Sequence, residues 1–283
     1  GNEIELYHCP YCGGGRSDKW TFAINKNSGQ FKCLRSSRMA SGNMLTLAKD
    51  FDFSLGRDFD DYYVKKTQYK KLSQPKEKII PKQNAIDYLS KRGISKETVE
   101  KYEITCQTGN DKILVFPFFD ESGVVQFVKY RNTEYIKGET NGSKEWCESN
   151  CKPILYGMKQ CNGSFDRVII TEGQIDSLSL SECGIENAVS VPTGAMGFTW
   201  IPHVWDWFSK FKEIIVFGDY EKGKITLLDE LSKRFRDKVK YVKPEDYNGC
   251  KDANEILVKH GKQALIDAIN NSMHIPLNKY SNI

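Results

Sequence analysis

Past Phe165 the chain settles into a rhythm that leaves few folds open. Short apolar runs alternate with stretches of helical spacing. The runs are Val168-Ile169-Ile170, Ala188-Val189-Ser190-Val191, Glu213-Ile214-Ile215-Val216-Phe217 and Lys240-Tyr241-Val242; helices are expected after Glu172 and from Ile225 to Phe235. A strand without polar alternation is covered on both faces, and strands separated by helices pair in parallel through crossovers. The pattern predicts an α/β unit built on a parallel sheet. Ligands of such sheets gather outside the carboxyl ends of the strands.

Acidic residues fall at those ends. Glu172 follows the first strand, with Gly173 next and Asp176 one helical turn on. Asp219 and Glu221 follow the third strand after Gly218, with Gly223 just beyond, and Asp252 and Glu255 follow the fourth. Any one of these acids reads equally well as a solvated loop residue or a helix N-terminal carboxylate. Their shared position at strand ends favours a site. Carboxylates crowded together repel unless cations neutralise them, and hard oxygen ligands select Mg²⁺ or Mn²⁺. Such ions orient phosphates and lower the pKa of an attacking hydroxyl.

Upstream, residues 84–165 predict two short helices broken at Arg92-Gly93, then a hairpin of Ile113–Phe118 and Val124–Val128 around Asp120-Glu121-Ser122-Gly123. Residues 56–83 are rich in Lys, with Pro75 and Pro81, and read as a basic linker. Residues 1–55 predict a small module: a Cys9-Pro10-Tyr11-Cys12 turn, strands at Trp20–Ile24 and Gln30–Leu34, and a helix from Met44. So short a module hardly buries a sufficient core and calls for a metal or a partner surface. The fourth segment, 166–283, holds the parallel sheet and a C-terminal helix.

The 283 residues carry a net charge of +4, which fits a nucleic-acid partner without requiring one. Nine cysteines are scattered without framework spacing, no apolar run approaches a membrane span, and no secretory signal is visible. A reducing, cytoplasmic location is expected.

At the acidic positions the chain resembles the TOPRIM domain shared by DnaG-type primases, topoisomerases and OLD nucleases. Thr171-Glu172-Gly173-Gln174-Ile175-Asp176 matches its Glu-Gly motif. Phe217-Gly218-Asp219-Tyr220-Glu221 matches its Asp-x-Asp motif, with Glu in place of the last Asp. Lys251-Asp252-Ala253-Asn254-Glu255-Ile256-Leu257 is similar to the segment that follows in primases. Val128-Lys129-Tyr130-Arg131, Lys144 and Lys152-Pro153-Ile154-Leu155-Tyr156-Gly157 resemble the basic half of a primase polymerase domain, closest to phage primases and primase-helicases.

The resemblance implies a zinc-ribbon-like template-binding module, a linker, and a primase RNA-polymerase domain containing a TOPRIM core. It implies an enzyme that makes short RNA primers from ribonucleoside triphosphates on a single-stranded DNA template, beside a replicative helicase that is separate or fused. Glu172, Asp219 and Glu221 would be catalytic and hold Mg²⁺ or Mn²⁺, supported by Asp176 and Asp252. Lys129, Arg131 and Lys144 would bind nucleotide phosphates or template; cations there are the expected phosphate partners in any case. A structural Zn²⁺ would use Cys9, Cys12 and Cys33. The fourth cysteine of the family pattern is missing from Ser36-Ser37-Arg38, and His8 is a substitute, beside a water-closed three-ligand site or a module without metal. The competing readings are a TOPRIM nuclease, which the basic half argues against, and a single-stranded-DNA-binding module without turnover.

Overall fold

The computed structural model describes residues 3–6, 9–11, 22–33, 40–52, 69–195 and 197–275. Two compact units result: the described residues up to Asp52 form one, and residues 69–275 the other. No helix among the described residues is long and apolar enough to cross a membrane.

The first unit is an antiparallel sheet in the order β1 (Glu3–Leu6), β2 (Phe22–Asn25), β3 (Phe31–Cys33), β4 (Ser41–Gly42), followed by helix α1 (Met44–Asp50). The Asn25 side chain accepts from the Asn27 and Ser28 amides and so closes the β2–β3 turn. Asn43 caps α1 by accepting from the Thr46 amide. Its core is tiny: Cys9, Phe22, Phe31, Cys33 and Leu47 are buried, and Tyr11 stacks on Phe31 at 5.4 Å. The aromatic residues here therefore make up the core. Of the expected zinc ligands, Cys9 and Cys33 meet in this cluster, while His8 and Cys12 lie outside the described residues.

The second unit begins with residues 69–82, which have no regular secondary structure but are fastened to the body. The Lys70 amide donates to the Asn150 carbonyl, Gln74 pairs with both backbone groups of Val125, and the Ile79 amide donates to Glu103. Helices α2 (Gln83–Ser90) and α3 (Lys96–Lys101) follow, broken at Arg92-Gly93 where Gly93 turns with φ +75°. Ser95 caps α3. An antiparallel sheet then runs β5 (Thr105–Gln107), β6 (Asn110–Phe119), β7 (Val125–Asn132), β8 (Glu145–Cys147) in that order.

The remaining elements are β9 (Arg167–Thr171), α4 (Gln174–Glu182), β10 (Ala188–Ser190), α5 (Ile201–Phe208), β11 (Glu213–Phe217), β12 (Tyr220–Glu221), β13 (Lys224–Ile225), α6 (Thr226–Phe235), β14 (Val239–Tyr241), α7 (Ala253–Asn270, interrupted at Gly261) and β15 (Met273–His274). They build a five-stranded sheet, β10-β9-β11-β14-β15, parallel except for β15. Val168, Ile169, Ile170, Ile214, Ile215 and Val216 are all buried, as expected for strands covered on both faces. One core runs continuously through this sheet, the antiparallel sheet and their helices.

Candidate functional site

The register of two neighbouring strands sets the geometry. β9 and β11 pair in parallel with Thr171 opposite Phe217, so the residues just past both strand ends emerge side by side. These are Glu172 and Gly218-Asp219. The Asp219 amide donates to Glu172 Oε1 at 3.1 Å. Gly218 has to be small: a Cβ there would lie 2.9 Å from that same Glu172 oxygen and 2.7 Å from Ile225. Gly173 plays the same part for Asp176, whose Oδ2 would be 2.5 Å from an added Cβ.

Asp176, on the first turn of α4, is buried and accepts from the Asn254 amide at 2.9 Å. Asn254 in turn donates to Ser179 Oγ and to the Arg92 carbonyl, tying the first turn of α7 to α4 and to the α2–α3 corner. Asp252 caps α7. Asp176, Asp219 and Asp252 thus come together, with one carboxylate oxygen of each within 4.8 Å of the others. Beneath them the buried Tyr247 hydroxyl donates to the Gly218 carbonyl at 2.7 Å.

Crowded acids resist ionising. Burial, then the neighbouring Asp219 charge, push Glu172 up to about 7. Burial and Asp252 push Asp176 well above the usual carboxylate range. Burial also raises Asp219, against the pull of Lys251. Three hard-oxygen groups at this spacing with unfavourable like-charge contacts match the ligand chemistry of Mg²⁺ or Mn²⁺.

The facing wall is basic. Lys129 and Arg131 alternate on β7 and so share a face. Both reach Glu145 on β8, at 2.7 Å and 2.6 Å. Burial opposes the Glu145 charge, but Lys129 and Arg131 outweigh it and hold the carboxyl below its usual range. Arg131 Nε also donates to the Tyr88 hydroxyl, and the Arg92 guanidinium lies over the same ring at 5.7 Å. Lys144 is exposed at the rim. A cleft of about 500 Å³ lies between the walls, lined by Lys129, Arg131 and Lys144 on one side and Glu172, Asp176, Asp219 and Asp252 on the other. A wider depression of about 900 Å³ beside Gln74–Lys78 mixes acids and lysines without gathering them, and is not the candidate site.

Glu221 is placed differently from the other acids. Lys222 and Gly223 both take positive φ, 50° and 79°, the two-residue turn of a β12–β13 hairpin. The hairpin carries Glu221 out of the cleft, with its side chain 60% exposed and paired to Lys251. Lys251, Arg92 and Glu145 belong to the site although their pattern in the sequence did not single them out. The available signal was their position: Lys251 next to Asp252, Arg92 at a helix break, Glu145 beside Lys144.

No protein-family model matches the chain. In sequence it is 29% identical over 210 residues to the primase homolog protein of Arabidopsis thaliana, covering 68% of this chain and 60% of that protein. It is 28% identical over 207 residues to the Twinkle homolog protein, chloroplastic/mitochondrial, of the same plant, covering 64% of this chain and 28% of that one. The chain therefore spans less than two thirds of these relatives. Among solved structures, the zinc-binding and RNA polymerase domains of Aquifex aeolicus primase align over 97% of this chain and 80% of theirs, at 17% identity and a TM-score of 0.55. The primase fragment of the bacteriophage T7 primase-helicase aligns over 94% of this chain and 100% of its own, at 20% identity and a TM-score of 0.54. A DnaG catalytic domain bound to single-stranded DNA aligns over 68% of this chain and 72% of its own, at 20% identity and a TM-score of 0.51. The chain has the fold of the DnaG-type and phage primases.

Proposed function

We propose that the chain is a DNA primase, which joins ribonucleotides into short primers along a single-stranded DNA template. One observation carries the reading: a single cleft sets the cations Lys129, Arg131 and Lys144 opposite the acids Glu172, Asp176, Asp219 and Asp252. Nucleotidyl transfer needs both walls. The basic wall holds triphosphate and template phosphates, with the Arg131 guanidinium kept in orientation by Tyr88 and Glu145. Asp176, Asp219 and Asp252 would hold Mg²⁺ or Mn²⁺, and Glu172 beside them would contribute directly or through water. A divalent ion held by these residues would supply charge neutralisation for the transferring phosphate and the leaving pyrophosphate. The chain's own part is position: the β9–β11 register, the Asp219 amide on Glu172 and the Tyr247 tie to Gly218 fix the acids before substrate arrives.

The amino-terminal unit is read as the template-binding module, with Zn²⁺ held by Cys9, Cys12 and Cys33 and a fourth ligand for which His8 is the candidate. The buried meeting of Cys9 and Cys33 supports this reading. A replicative helicase, separate or fused, is the expected partner, and the likeness to a primase-helicase fragment supports it.

The test is incorporation of labelled ribonucleotides on mixed-sequence single-stranded DNA with Mg²⁺ or Mn²⁺, beside Glu172→Gln. Short template-dependent products, lost in the variant, are expected. Degradation of the template instead would point to a nuclease, and binding without either outcome to a template-binding module.

A further inference from the structure

Glu221 stands where the family motif has Asp, and its carboxylate lies outside the cluster of Asp176, Asp219 and Asp252. Its partner is Lys251. The Lys251 ammonium lies 2.8 Å from Asp219 Oδ2 and 2.7 Å from Glu221 Oε1, bridging the two. This is more than a long side chain meeting an acid at the surface. The Tyr220 amide donates to the Lys251 carbonyl at 2.8 Å, which fixes the Lys251 backbone opposite the middle of Asp219-Tyr220-Glu221. The two acids flank that tie, one on each side of Tyr220 in the chain. The Lys251 amide is itself held by Glu255 Oε2. With the backbone tied at both ends of the residue, the ammonium has two carboxylates within reach.

We propose that Lys251 is a positioning residue whose ammonium is shared between the metal-facing aspartate Asp219 and Glu221, and that Glu221 is the carboxylate that keeps it when a divalent ion takes Asp219. This rests on the reading of the three aspartates as the ion site. A bound ion and an ammonium compete for Asp219. With Glu221 present, the ammonium given up by Asp219 keeps a partner. Without Glu221 it must be displaced into water, so ion binding becomes harder. The longer Glu side chain suits this role, because it carries its carboxylate out to Lys251 and away from the cluster. Exchange also gives Asp219 one orientation in both states, with no free carboxylate swinging at the cleft mouth.

Glu221 and Lys251 are coupled as a pair, and a double-variant cycle on the full chain reads the coupling. Mn²⁺ binding is measured by calorimetry and by the electron-paramagnetic-resonance signal of free Mn²⁺. The set is wild type, Glu221→Gln, Lys251→Met and both together, with Asp219→Asn as the site control. Glu221 is exposed and Lys251 half-buried, neither belonging to the core, so folding is expected to survive, and circular dichroism checks it. In the presence of Lys251, Glu221→Gln weakens Mn²⁺ binding by about two- to fivefold, the range of an exposed ion pair. Lys251→Met tightens it by a similar factor. In the Lys251→Met background, Glu221→Gln has no further effect.

Equal weakening by Glu221→Gln in both backgrounds would overturn the proposal, because Glu221 would then act on the ion itself. Weaker binding in Lys251→Met would also overturn it, since Lys251 would then be structural. Loss of the ion site as a whole reads differently: wild type and Asp219→Asn would bind Mn²⁺ alike, which sinks the site reading and the proposal with it.

Discussion

Replacing Glu172 by Gln should stabilise the ion-free protein at pH 8 and leave it nearly unchanged at about pH 4. Glu172 is lifted from 4.5 to about 7, by burial first and by Asp219 second. For an acid raised on folding, the folded chain prefers the proton. The penalty is absent below about 4.5, where folded and unfolded chains are both protonated, grows as the unfolded carboxyl ionises, and is complete above about 7. At ~1.4 kcal/mol per pH unit the full gap is ~3 kcal/mol, and partial exposure with salt screening reduces it to ~1–2 kcal/mol. Gln keeps an oxygen to accept the Asp219 amide and removes the charge. Thermal unfolding in chelator should therefore show a midpoint gain of ~2–8 °C for Glu172→Gln at pH 8, and about none at pH ~4. Adding Mn²⁺ should reverse the order, because wild type gains more from the ion. A variant less stable at pH 8, or one with the same gain at both pH values, would refute the electrostatic account of the cluster.

Other perturbations test neighbouring links. Tyr247→Phe leaves the Gly218 carbonyl without its donor at the base of the cluster, for a cost of ~1–3 kcal/mol visible as a lowered thermal midpoint. Gly173→Ala drives a Cβ against Asp176 Oδ2, and a displacement of that size should reduce turnover ~100-fold while the circular dichroism spectrum is kept. Glu145→Gln takes the shared partner from Lys129 and Arg131, so stability should fall by ~1–2 kcal/mol while affinity for a nucleoside triphosphate rises at low salt.

Much of the candidate site's placement was legible in the sequence, for specific reasons. The unbroken apolar runs of β9 and β11 announce strands buried on both faces, and the acids that follow them mark the ligand edge. The alternation of Lys129 and Arg131 on β7 was equally readable, because a period of two survives in the sequence. What could not be read is what a fold brings from afar. The pairing of Thr171 with Phe217 decides that Glu172 and Asp219 touch, and no local pattern states a register. Lys251 reaches Asp219 through a backbone bond to Tyr220 across 31 positions of sequence. Tyr88 reaches Arg131 from another element altogether, with Arg92 over its ring. The Lys222-Gly223 turn was present in the sequence, but its consequence for Glu221 depends on both residues taking positive φ. Residues 69–82 looked like a linker by composition, yet their backbone and Gln74 are fastened along the second unit. Pairing of backbone groups is invisible to composition.

We propose that one cleft performs template-directed nucleotidyl transfer, with its acids serving the chemistry and its cations serving the phosphates. The most direct measurement is pyrophosphate release from ribonucleoside triphosphates on single-stranded DNA, run beside template binding for wild type, Asp219→Asn and Lys129→Met. Wild type should show template-dependent release, Asp219→Asn none although it still binds the strand, and Lys129→Met weakened substrate binding. Undiminished release by Asp219→Asn would contradict the proposal.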